Sequence, residues 1–240
     1  MQKVFLYLLL LFFPVHYTAI PEPVSPLIPA EVPGPQPELS LYREMGLENI
    51  VDYEAFRQAM VGYNKLEKKK KEIITIIDFT KPSTEKRFYV LDLAHKKLLF
   101  HTFVSHGKNS GDNYATSFSN HNGSHKSSLG FYRTENTYQG KNGYSLILEG
   151  LEKGINDRAK ERAIVIHGAS YSNPSVVASG GRLGRSFGCP ALPEAVSRPI
   201  IQTIKEGSLL FIYANHPDYL SQSTIVSTEN SISPNLISAL

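Results

Sequence analysis

From residue 73 onward the apolar positions come in short β-branched and aromatic runs. The first is Ile73-Ile74-Thr75-Ile76-Ile77-Asp78-Phe79, followed by Arg87-Phe88-Tyr89-Val90-Leu91-Asp92-Leu93 and then Leu98-Leu99-Phe100-His101-Thr102-Phe103-Val104. Runs of that length and type predict strands, and the short polar break at residues 95–97 predicts a hairpin between the second and third. Further strands are expected at 129–132, 144–151, 163–167 and 208–213, with Ser-, Asn- and Gly-rich loops between them and a late helix over 193–205. Upstream the period changes. Leu41, Met45, Ile50, Tyr53, Phe56, Met60, Tyr63 and Leu66 recur every three to five residues, as in one or two helices that bury one face, with Asp52 as a cap. The predicted class is α+β, mostly β with flanking helices.

The two ends read differently. After Lys3, residues 4–15 are almost unbroken apolar, the length of a signal-peptide core and short of the roughly 20 residues a membrane-spanning helix needs. The expectation is an export signal over residues 1–19, a proline-punctuated linker over 20–38, and a helical segment over 39–71 packing on the main domain at 72–216. A loosely ordered Ser/Thr/Asn-rich tail is expected over 217–240. Export would place the protein in the periplasm or cell envelope, with no stable membrane insertion after signal cleavage.

With 240 residues, 41% of them hydrophobic, the chain can bury one sizeable domain, and a formal net charge of +3 gives no argument for a nucleic-acid partner. The lysines within residues 65–71 mark a solvated helix end. Oligomeric state is not legible.

Cysteine usage changes the picture. The chain has one cysteine, Cys189, so it cannot form an internal disulfide, and a free thiol in an oxidising compartment is a liability unless it is used. The alternative is a buried apolar cysteine, which the flanking Gly188 and Pro190 argue against. Twenty-two residues upstream, His167 closes an apolar strand and is followed by Gly168. A thiol and an imidazole on glycine-flanked backbone are the parts of a nucleophilic site, in which the ring takes the thiol proton and its other nitrogen is held by a carboxylate or carbonyl. The carbonyl of Gly168 is the nearest candidate. Backbone N–H groups of Phe187, Gly188 and Cys189 are candidate oxyanion donors, whereas Pro190 has none. His121 and His125, with His101 and His106 upstream, lack the second cysteine or helical His pattern of a metal site and read as loop histidines. No metal or cofactor is expected. Tyr132, Tyr138 and Tyr144 could flank a ligand, although strand aromatics more often face the core.

His167-Gly168 with Ser186-Phe187-Gly188-Cys189 resembles the His-Gly and Ser-x-Gly-Cys elements of the L,D-transpeptidase catalytic domain, the YkuD-type fold. Four further blocks resemble the branch labelled murein L,D-transpeptidase catalytic domain family: Ser127-Ser128-Leu129-Gly130-Phe131-Tyr132, Thr137-Tyr138-Gln139-Gly140-Lys141-Asn142-Gly143-Tyr144-Ser145-Leu146, Gly150-Leu151-Glu152 with Asn156-Asp157, and Gly188-Cys189-Pro190-Ala191-Leu192. The similarity spans roughly residues 73–213. It implies a β-sandwich or barrel-like catalytic domain acting on peptidoglycan stem peptides. Cys189 would cleave the bond between a diaminoacid and the terminal D-alanine of a tetrapeptide stem, and the thioester would pass to an amine of another stem. His167 would be the base, Gly168 its orienting carbonyl, and Ser186 would line the site. The commoner motif carries arginine two residues after the cysteine, where this chain has Ala191, so recognition of the substrate carboxylate falls to Arg185 or Arg182 as candidates. An L,D-carboxypeptidase or endopeptidase using the same pair, and a non-catalytic wall-binding module, are the alternatives.

Overall fold

The computed structural model describes residues 37–67 and 69–227, so the expected export signal and nearly all of the linker lie outside the described residues. The chain runs α1 (Pro37–Glu44), α2 (Tyr53–Lys65), β1 (Ile73–Asp78), β2 (Phe88–Asp92), β3 (Lys97–Thr102), β4 (Gly130–Gly140), β5 (Gly143–Gly150) and β6 (Val165–Gly168). It continues through α3 (Pro174–Gly180), β7 (Ala191–Leu192), α4 (Glu194–Ile204), β8 (Leu209–Tyr213) and α5 (Pro217–Gln222). No described helix is long and apolar enough to cross a membrane.

The amphipathic stretch at residues 39–66 forms two helices. Asp52 caps the second through Ala55 N at 2.9 Å, satisfying one of the amides that a helix start leaves unpaired. Helix α1 takes in Pro37 and Glu38, the last residues assigned to the linker, because proline in a first helical turn forfeits no hydrogen bond.

All eight strands join one sheet in the order β3-β2-β1-β8-β4-β5-β6-β7. The β2–β3 and β4–β5 pairs are antiparallel hairpins, while β1–β8 and β6–β7 are parallel. Strand β4 runs to Gly140, well past the expected end at 132, because Thr137, Tyr138 and Gln139 find partners on β5 that their mixed polarity did not announce. Beyond β3, Ser105 bridges to Ala191 of β7, with Ser105 N donating to Ala191 O at 2.9 Å. The two ends of the sheet therefore meet, and the sheet curls into a nearly closed barrel.

Residues 217–227 correct the expectation of a loosely ordered tail, which was drawn from polarity alone. Tyr219, Ser223, Ile225 and Val226 are buried. Tyr219 Oη and Ser223 Oγ donate to the buried Glu152 carboxylate at 3.2 and 2.5 Å, and Phe131 N donates to it at 2.7 Å. A carboxylate inside a barrel wall needs such donors, and these polar tail residues supply them. Residues 228–240 lie outside the described residues.

A second buried polar cluster stands behind the strip that meets β7. Arg87, with no exposed surface, donates to Val104 O through Nε and Nη2 at 3.1 and 2.9 Å and to His106 Nδ1 at 2.8 Å. Because Arg87 can only donate, Nδ1 must accept, so the proton of His106 sits on Nε2, which faces Gly111 O at 3.3 Å. Burial and the Arg87 charge push the His106 pKa down to about 4.

Two stability predictions follow from these contacts. A Cβ at Gly62 would lie 2.0 Å from Phe131 Cζ, inside a ring stacked on Phe211. Gly62→Ala should therefore cost about 1–3 kcal/mol in denaturant unfolding despite alanine's better helix propensity, and a variant as stable as the parent would show that the ring gives way. His106 is a basic group held below its unfolded pKa of about 6.5, so stability should fall as pH drops from about 6.5 towards 4 by up to about 3 kcal/mol. In His106→Gln that slope should flatten, which urea titrations across the window measure.

Candidate active site

Strand β6 carries His167 opposite Ala191 of β7 and Gly168 opposite Leu192. Two residues back along the same register, Cys189 comes beside Val165, whose N–H donates to Cys189 Sγ at 3.4 Å, and the thiol reaches Ala163 O at 3.6 Å. Cys189 and His167 thus arrive on neighbouring strips of backbone and line one cavity of about 280 Å³, together with Asn142, Tyr171, Arg185 and Phe187. The hydrogen bonds of the resting sulfur go to the backbone leading into β6, and the ring is anchored separately.

That anchor is Gly168 O, 3.0 Å from His167 Nδ1. A carbonyl only accepts, so Nδ1 carries the proton and Nε2 is left with a free lone pair. The ring folds back over a residue without a side chain, and a Cβ at Gly168 would meet Ser197 Oγ of α4 at 2.5 Å. Burial lowers the His167 pKa, since the imidazolium is the form that loses most on desolvation, and the Gly168 carbonyl opposes this only partly. Burial raises the Cys189 thiol, while the Val165 N–H and the charge of Arg162 pull it down. The two shifts point the same way, towards a neutral thiol and a neutral imidazole in the resting site.

The cysteine loop is braced from within. Ser186 is buried, donates through Oγ to Cys189 O at 2.6 Å and accepts from Gly188 N at 3.0 Å. Ser186 lines the cavity with its hydroxyl proton spent on the loop. The expectation of Gly188 as an oxyanion donor is corrected, because its amide is occupied by Ser186 Oγ. Phe187 N has no partner among the described residues and remains available. Gly188 has φ +124°, a conformation that side chains strongly disfavour, and a Cβ there would lie 2.8 Å from Lys126 O.

Arg185 lines the cavity, but its Nη1 donates to Gly111 O at 2.9 Å and to Lys108 O at 3.2 Å and pairs with Asp112 at 3.2 Å. Arg182 also pairs with Asp112, at 2.9 Å, and is absent from the cavity wall. The histidines are dispersed into other contacts: His101, on β3, stacks on Tyr89, His106 is held by Arg87, and His125 leans on the exposed Phe187 ring. Tyr132 is buried, Tyr144 lies under the Arg198 guanidinium, and Tyr138 is exposed. The residue that sequence reasoning missed is Arg162. Five positions before His167 and outside every quoted motif, it carried no signal beyond standing at the edge of an apolar run.

The family model described as L,D-transpeptidase catalytic domain (YkuD_2) matches residues 47–213, from the turn between the first two helices to the end of β8. The chain belongs to this family. Its match starts upstream of the blocks at residues 73–213 and takes in α2. Among curated proteins none matches the sequence. Solved structures to which it is similar include an L,D-transpeptidase from Mycobacterium smegmatis, at 14% identity over 60% of this chain and 59% of that one, with a TM-score of 0.37. L,D-transpeptidase 3 from Mycobacterium tuberculosis is 10% identical over 60% and 62% of the two chains, with a TM-score of 0.38. L,D-transpeptidase (Yku) from Stackebrandtia nassauensis is 14% identical over 75% and 77%, with a TM-score of 0.37. The chain spans about 59% of the length of the first of these.

For this L,D-transpeptidase-family domain, nitrogen-detected NMR titration of His167 should show the Nδ1–H tautomer and a midpoint below the ordinary histidine value of about 6.5. A midpoint well above it would mean a thiolate–imidazolium pair and overturn the neutral pair. Gly188→Ala should lose about 1–3 kcal/mol in thermal or denaturant unfolding and change the alkylation rate of Cys189, because backbone strain and the Lys126 contact both act on the cysteine loop.

Proposed function

We propose that the protein is an exported, cysteine-dependent peptidoglycan L,D-transpeptidase of the periplasm or cell envelope. The observation that carries the reading is the Cys189–His167 pair lining one cavity, His167 on β6 and Cys189 in the loop before its neighbour β7, with the imidazole locked by Gly168 O so that Nε2 is the free base.

In this reading His167 Nε2 takes the thiol proton as Cys189 Sγ attacks the carbonyl carbon between the diaminoacid and the terminal D-alanine of a tetrapeptide stem. The oxyanion draws on the Phe187 N–H. Collapse breaks the C–N bond, His167 returns its proton to the departing D-alanine amine, and a thioester remains. The side-chain amine of a second stem then attacks the thioester, gives a proton to His167 and releases the thiolate, which takes that proton back. No step calls for a metal or an organic cofactor. Arg185 is the cationic side chain of the cavity wall and the candidate for the stem carboxylate, through the guanidinium nitrogens its loop contacts leave over.

Disaccharide-tetrapeptide incubated with the protein should give crosslinked dimers by mass spectrometry, each having lost one D-alanine, and none with Cys189→Ala. Tripeptide with free D-alanine in place of dimers would replace transfer by hydrolysis. Unchanged substrate with both proteins would turn the reading into a wall-binding module. A carbapenem, whose strained amide offers the thiol an alternative carbonyl, should add its mass to Cys189, and an unmodified protein mass after long incubation would count against a nucleophilic thiol.

A further inference from the structure

Arg162 lies in the turn leading into β6, and its guanidinium meets only neutral acceptors. Nη1 donates to Ser119 O at 2.8 Å and Ser128 Oγ at 2.5 Å, and Nη2 donates to Lys126 O at 2.6 Å and Ser124 Oγ at 3.4 Å. Among the described residues no Asp or Glu forms an ion pair with it. A half-buried cation without a counter-charge is costly, and a fold that keeps one there has placed positive potential at that point.

That point is the cysteine loop. A Cβ on Gly188 would stand 3.3 Å from Arg162 Nη2, so the backbone immediately before Cys189 lies against the guanidinium. The segment Arg162 grips is tied to the same loop, because Ser127 Oγ donates to Gly188 O at 3.3 Å. The titratable groups facing this region are Tyr132 of β4, Lys126, whose Nζ is bonded to Ser117 Oγ, His167 of β6, and Tyr171 and Arg185 of the cavity wall. Burial raises both tyrosines above their ordinary value and His167 is held neutral, so Cys189 is the group here whose anion meets the Arg162 charge. Each favours the charged form of the other.

We propose that Arg162 is the counter-charge of the Cys189 thiolate: a positioning residue that stabilises the sulfur anion formed during attack while pinning residues 119–128 against the cysteine loop. The proposal rests on Cys189 being the nucleophile, and it gives the thiolate a permanent cationic partner besides the imidazolium formed when His167 takes the thiol proton.

The test is the pH dependence of Cys189 alkylation by iodoacetamide in the full chain, with Arg162→Gln and Arg162→Lys alongside and cooperative thermal unfolding checked for each. Arg162→Gln should raise the thiol midpoint by about one pH unit, which lowers alkylation at a fixed pH below it about tenfold. Arg162→Lys loses the forked hydrogen bonds but keeps the charge, and its midpoint should stay within about half a unit of the parent. An unchanged midpoint in folded Arg162→Gln, or a rise in Arg162→Lys as large as in Arg162→Gln, would overturn the proposal and leave Arg162 a purely structural clamp. Should Arg162→Gln not fold, Arg162→Met, which also removes the charge, takes its place under the same criteria. Because the readout needs no stem peptide, a shifted midpoint in a protein that turns over no peptidoglycan would keep this inference and reject the proposed reaction, and the converse pair of results would do the opposite.

Discussion

The segment from Ser186 to Leu192 is held on two flanks at once, and the geometry of the site depends on that. On one side β7 pairs in parallel with β6, which sets His167 opposite Ala191. On the other, Ser105 bridges Ala191, Ser186 N donates to His106 O at 2.9 Å, and Lys108 N donates to Ser186 O at 2.8 Å. This short strip is the seam at which the eight-stranded sheet closes, so the Cys189 thiol sits on backbone that is hydrogen-bonded on both flanks. Preorganisation of that kind is what a nucleophile needs if it is not to spend binding energy on its own placement.

The electrostatics follow from the seam. Burial raises the thiol and lowers the imidazole, so an ion pair is not the resting state. In the proposed reaction, proton transfer is then coupled to attack, and the local field has to favour a thiolate only transiently. Among the described residues no carboxylate orients His167. Gly168 O does so with a neutral dipole, which fixes the tautomer.

Two buried polar clusters brace the barrel wall away from the cavity. Arg87 and His106 brace the strip that flanks the cysteine loop, and Gly111 O, which accepts from Arg185, also faces His106 Nε2. Glu152 ties β4 to residues 217–227 through Tyr219, Ser223 and Phe131 N. Both clusters bury charge-bearing groups with their hydrogen bonds made, and such networks give way sharply when one member is removed.

Much of this was legible in order along the chain. The β-branched runs beginning at Ile73, Arg87 and Leu98 became strands because period and residue type are local properties, and Asp52 capped its helix for the same reason. Cys189 and His167 could be singled out because one thiol and one strand-end histidine, each next to a glycine, are chemically conspicuous, and the quoted blocks carried the family. What the sequence could not reveal was who partners whom. Ser186 and Gly188 read as site groups and are spent on each other, the polar tail is a set of donors for a buried carboxylate, and Arg162 is an unremarkable residue until the chain brings Gly188 to it. Composition and periodicity fix which residues favour strand, helix or turn. The hydrogen-bond partners of a serine, the counter-charge of a thiol and the closure of a sheet are set by residues dozens of positions apart, and tertiary structure alone decides those.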